Sequence, residues 1–102
     1  MDRVAAFRSF IEKSPSDPFP RYGLAMELKN QGKLDDASSA FAELITSFPD
    51  YVPAYLMAGG VLATQGKRGE ATDIYKRGIS AATARGDQHA VKELESALAE
   101  LD

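Results

Sequence analysis

An internal repeat restricts what this chain can fold into more than any other feature of it. Shifting the sequence by 34 positions sets Leu28 on Leu62, Gln31-Gly32-Lys33 on Gln65-Gly66-Lys67, Ala37 on Ala71, Phe41 on Tyr75 and Ile45 on Ile79. These are the positions that two packed helices need: a glycine for a tight turn, a small residue where helices cross, and large apolar residues on the facing stripes. A unit of this length cannot bury both its faces alone, so neighbouring units must stack.

The apolar spacing between the matched positions is helical throughout. Val4, Phe7, Phe10 and Ile11 line one side of a first helix with Asp2 placed to cap it, and Ser14-Pro15-Ser16-Asp17-Pro18 stops it. Asp17 caps a second helix with Pro18 at its first position, where the missing N–H costs nothing. Its inner face is Leu24, Ala25 and Leu28, and Asn30-Gln31-Gly32 closes it through a left-handed glycine. Ala37, Ala40, Phe41, Leu44 and Ile45 define a third helix ending before Phe48-Pro49-Asp50. Tyr55, Ala58, Gly59 and Leu62 define a fourth, closed by Gln65-Gly66, and Ala71, Ile74, Tyr75 and Ile79 a fifth that runs to about Arg85. After Gly86-Asp87, Val91, Leu94, Leu98 and Leu101 form the single apolar stripe of a sixth. Alternating strand patterns are nearly absent, so the fold class is all-α.

The pattern resembles the tetratricopeptide repeat (TPR), whose signature W-x2-L-G-x2-Y, A-x3-F and P is matched by Arg21-x2-Leu24-Ala25-x2-Leu28, Ala37-x3-Phe41 and Pro49. The second copy reads Tyr55-x2-Ala58-Gly59-x2-Leu62 and Ala71-x3-Tyr75. Arg21 departs from the large aromatic, and Thr83 stands in place of the closing proline. Phe7, Phe10 and Pro15 repeat the spacing of Phe41, Leu44 and Pro49, so the first helix is similar to the second half of a repeat. The resemblance implies a TPR-like α-α superhelix of about six antiparallel helices, forming a single domain over residues 1–102. Its parts would be a half-repeat helix at 2–13, repeats at 18–51 and 52–85, and a capping helix at 87–101.

The same resemblance implies that the first helix of each repeat lines a concave surface that holds a protein or peptide partner. On the second helix Phe19, Tyr22, Met26, Lys29 and Asn30 share one face outside the repeat core. On the fourth, Leu56, Gly60, Ala63 and Thr64 take the corresponding places. Met and Tyr suit apolar peptide side chains; the alternative is that the last helix covers them as core. The Lys, Arg and Asn cluster with which some TPR proteins grip a C-terminal carboxylate is missing, since Tyr22, Met26, Leu56 and Met57 occupy its places. A second functional reading is homo-oligomerisation, a homodimer formed through the stripe of Val91, Leu94, Leu98 and Leu101 or through Phe7 and Phe10.

Catalysis, cofactors and metals find no constellation. The chain has no cysteine, and one histidine, His89, is a poor metal site by itself. Gly66-Lys67 lacks the upstream glycine and following Ser or Thr of a phosphate loop, and Gly59-Gly60 reads as a close helix crossing. Asp35 and Asp36 sit where a helix dipole favours acids. A net charge of −3 gives no bulk attraction to nucleic acid or anionic membranes. Charge is uneven: residues 66–85 carry Lys67, Arg68, Lys76, Arg77 and Arg85 against Glu70 and Asp73, whereas Asp87, Glu93, Glu95, Glu100 and Asp102 outweigh Lys92 thereafter. Attraction between two adjacent helices accounts for this, with a basic docking patch as the sharper reading. Charges interrupt every apolar run, including the start Met1-Asp2-Arg3, so neither a secretory signal nor a membrane span is expected, and the expected location is cytoplasmic.

Overall fold

Aspartates and glycines set the helix boundaries. In the computed structural model, which describes residues 2–101, six helices follow one another: α1 Arg3–Lys13, α2 Pro18–Asn30, α3 Leu34–Ser47, α4 Pro53–Thr64, α5 Arg68–Ala84 and α6 Gln88–Glu100. Met1 and Asp102, included in the readings of the start and of the acidic end, lie outside the described residues. Asp2, Asp17 and Asp87 each accept a bond from a backbone N–H in the first turn, of Ala5 (2.8 Å), Phe19 (3.0 Å) and Ala90 (3.0 Å), groups a helix start leaves unpaired. Helices α3 and α5 have no side-chain cap; they begin after Lys33 and Lys67 and place Asp35, Asp36 and Glu70 against the dipole instead.

Gly32, Gly66 and Gly86 end α2, α4 and α5 with φ of 76°, 78° and 72°, a region costly for any residue with a Cβ. The N–H of the residue after each glycine reaches back to a carbonyl of the last turn, as in Lys33 to Leu28 at 3.0 Å. Where no proline intervenes, the helix continues: α5 has 17 residues against 14 in α3, and Thr83 Oγ1 donates to the Ile79 carbonyl at 2.7 Å.

Consecutive helices pack against each other, and α4 also approaches both α2 and α6. The core runs along these contacts, with Phe41, Leu44 and Ile45 of α3, Val61 of α4 and Leu94 of α6 its largest enclosed side chains. Three glycines let helices approach, and a Cβ on Gly23 of α2 would enter the Phe7 ring of α1. A Cβ on Gly59 would enter the Tyr75 ring, and one on Gly78 would lie 2.6 Å from Tyr55 Cβ and 3.1 Å from Leu94 Cδ2. Gly60, expected with Gly59 at a crossing, takes no part in it, because nothing lies within 4 Å of where its Cβ would stand. The helices assemble into a slab of 40 × 29 × 18 Å.

Candidate partner-binding surface

Helices α2 and α4, which carry the expected site residues, approach each other. Tyr22 anchors the α2 side. Half-buried, it meets Phe41 edge-on at 6.3 Å between ring centroids and leans on Tyr51 at 5.6 Å. Burial pushes both phenol pKa values up, with Tyr51 adding to the rise at Tyr22 and Asp17 to that at Tyr51. Both hydroxyls are therefore protonated at neutral pH.

Phe19, one helical turn toward the N-terminus, is 63% exposed, an unusual state for a large aromatic. Met26 and Leu56 are half-buried against the core, Lys29 is half-buried and Asn30 exposed. On α4 the bare position at Gly60 leaves the surface shallow; Ala63 is half-buried, and exposed Thr64 donates from Oγ1 to the Gly60 carbonyl at 3.0 Å. Helix α6 packs on α5 and α4, and among the described residues it makes no close backbone approach to α2.

Tyr51 was not among the expected site residues. It lies in the α3–α4 loop, and the only hint of it in the sequence is an aromatic directly after Phe48-Pro49-Asp50. A second concavity also went unforeseen. A groove of about 560 Å³ runs between α3 and α5 over α4, with Ile45, Ala58 and Ile74 as its apolar floor and Asp35, Asp73 and Arg77 among its rim charges. Asp35 does more than face a helix dipole: its Oδ1 accepts from Gln65 Nε2 at 2.6 Å, and Gln65 Oε1 accepts from Ser38 Oγ at 2.9 Å, tying α3 to the end of α4.

Arg21, in the aromatic position, lines a smaller groove with Arg8, Glu12 and Glu43, its Nε buried without a hydrogen-bond partner. The expected attraction between α5 and α6 has its geometric precondition, since the two helices adjoin, but among the described residues no direct ion pair joins them; Arg85 reaches Asp50 at 3.5 Å instead. His89 is exposed and pairs with Glu93 at 3.2 Å.

Solved structures supply the comparison. A tetratricopeptide repeat domain protein from Salinibacter ruber, solved in solution, is 34% identical, with a TM-score of 0.81 over 86% of this chain and 89% of that one. The chain belongs to the tetratricopeptide repeat family. A Bordetella parapertussis protein matches this TPR chain with a TM-score of 0.82 at 26% identity, over 99% of this chain and 88% of its own. The TPR2B domain of yeast Sti1, solved as its pHsp70 complex, matches with 0.88 over 96% of this chain and 78% of its own, and at 15% identity shows the fold alone. No protein-family model and no curated protein sequence matches the TPR chain.

Proposed function

We propose that this TPR domain is a noncatalytic cytoplasmic adaptor that holds an extended or helical segment of a partner protein against the face shared by α2 and α4. The half-repeat at 2–13, the repeats at 18–51 and 52–85 and the cap at 87–101 act as one scaffold in this reading. What supports it is that α2 and α4 approach each other, that Phe19 is exposed and Tyr22, Met26 and Leu56 are half-buried on these two helices, and that the position at Gly60 is open. Burying such apolar area stabilises a complex by about 25 cal/mol per Å² before the costs of association. The Sti1 domain, which shares the fold, was solved as a pHsp70 complex. With no cluster of Lys, Arg and Asn around Tyr22 and Leu56, apolar anchors and not a terminal carboxylate set recognition here.

Gly60→Arg tests this without touching the core, because the added side chain projects into open space. Peptides selected on the chain from a random library that holds both free and blocked C-termini should lose about tenfold or more in affinity for this variant, measured by fluorescence anisotropy. Undiminished affinity, or selection only of peptides with a free carboxylate, would count against the reading.

A further inference from the structure

The two ends of the repeat array are half-units of complementary kind. In α3 and α5 the inward positions are Ala37, Phe41, Leu44, Ile45 and Ala71, Tyr75, Gly78, Ile79; α1 has the same spacing in Arg3, Phe7, Phe10 and Ile11. Leu44 is fully enclosed, yet its counterpart Phe10 is 53% exposed, because only α2 packs on α1. At the other end, Tyr55, Ala58, Gly59 and Leu62 of α4 have their counterparts in Val91, Leu94, Glu95 and Leu98 of α6. Tyr55 is buried between neighbours, whereas Val91 and Leu98 are half-exposed. Thus, within residues 2–101, α6 packs as a first helix with no second beside it, and α1 as a second helix with no first.

The departures from the pattern at the two ends complement each other. The hairpins α2–α3 and α4–α5 have buried small residues at corresponding places, Ala25 and Gly59 on the first helices, Ala37 and Ala71 on the second. At the open ends these places hold Glu95 on α6 and Arg3 on α1, both exposed and opposite in charge. The difference extends along each helix. Arg3, Arg8 and Lys13 against Glu12 leave α1 basic, and Glu93, Glu95 and Glu100 against Lys92 leave α6 acidic. Arg3 touches Glu27 at 3.6 Å but keeps 82% of its side chain exposed, so it remains free to meet a second group.

We propose that α6 of one molecule packs against α1 of a second copy, completing a helical hairpin across the junction and joining the molecules head to tail. The apolar stripes supply the contact, and the Glu95–Arg3 pair fixes its orientation and disfavours α1–α1 or α6–α6 pairing. A contact between two different surfaces is heterologous: it propagates into longer assemblies unless the geometry closes a ring. This inference concerns the ends of the array and does not depend on what the α2–α4 face binds.

Sedimentation velocity on the full chain over a wide concentration range, at low and high salt, provides the test. The expected result is a mass that rises above the 11.0 kDa of one chain with concentration and falls back as salt screens the charges. Arg3→Glu and Glu95→Arg, both at exposed positions, should each weaken association by about fivefold or more, and their equimolar mixture should recover it, because every mixed junction again pairs opposite charges. Phe10→Asp should abolish it, with helicity by circular dichroism unchanged in all variants. A monomer at every concentration would overturn the proposal. So would association that the reversals leave intact, or that mixing does not restore.

Discussion

Adjacent glycines in α4 have opposite environments, although the sequence pairs them. Gly59 lies under the Tyr75 ring, where a methyl group has no room, while Gly60 faces open space. Gly59→Ala should therefore destabilise the fold by about 1–3 kcal/mol through overpacking. Gly60→Ala should be neutral or stabilising by up to about 1 kcal/mol, since alanine loses less backbone freedom in a helix. Urea denaturation of the two variants checks both signs. The repeat signature gave the reason for Gly59, a small residue at a crossing, but not for Gly60, because whether a neighbour stands over a helix position is decided by a different helix.

Among the elements, those whose limits are written locally were legible. Asp2, Asp17 and Asp87 at helix starts, Gly32, Gly66 and Gly86 at helix ends, and the run of α5 past the missing proline all follow from short stretches of chain. What escaped depends on distant pieces meeting. Tyr51 joins Tyr22 only once the α3–α4 loop folds over α2, and the α3–α5 groove is a gap between helices whose adjacency the sequence does not print. Helix α6 illustrates the energetic side. Leu94 is its one buried side chain, at 1% exposure, and it lies against Gly78 of α5. Leu94→Ala should cost about 2–5 kcal/mol in thermal or urea unfolding, the range for truncating a buried leucine. An effect below about 1 kcal/mol would mean that α6 is not seated as described.

For the molecule as a whole, alkaline pH should be destabilising through its tyrosines. Burial raises the phenol pKa of Tyr22, Tyr51, Tyr55 and Tyr75, with Arg77 partly opposing the rise at Tyr55. Each phenol holds its proton more tightly folded than unfolded, so its contribution is complete below about pH 10, where unfolded tyrosines begin to ionise, and is lost as pH rises through the higher folded values. The urea midpoint should fall above about pH 10, and less steeply in Tyr75→Phe.

The central claim, that the α2–α4 face receives the partner, is tested most directly by mapping backbone amide chemical shifts while a library-selected peptide is titrated into the labelled chain. The account predicts perturbations concentrated at Phe19, Tyr22, Met26, Leu56, Gly60 and Ala63. Perturbations concentrated instead at Ser38, Ala42, Ile74 and Arg77, along the α3–α5 groove, would contradict it.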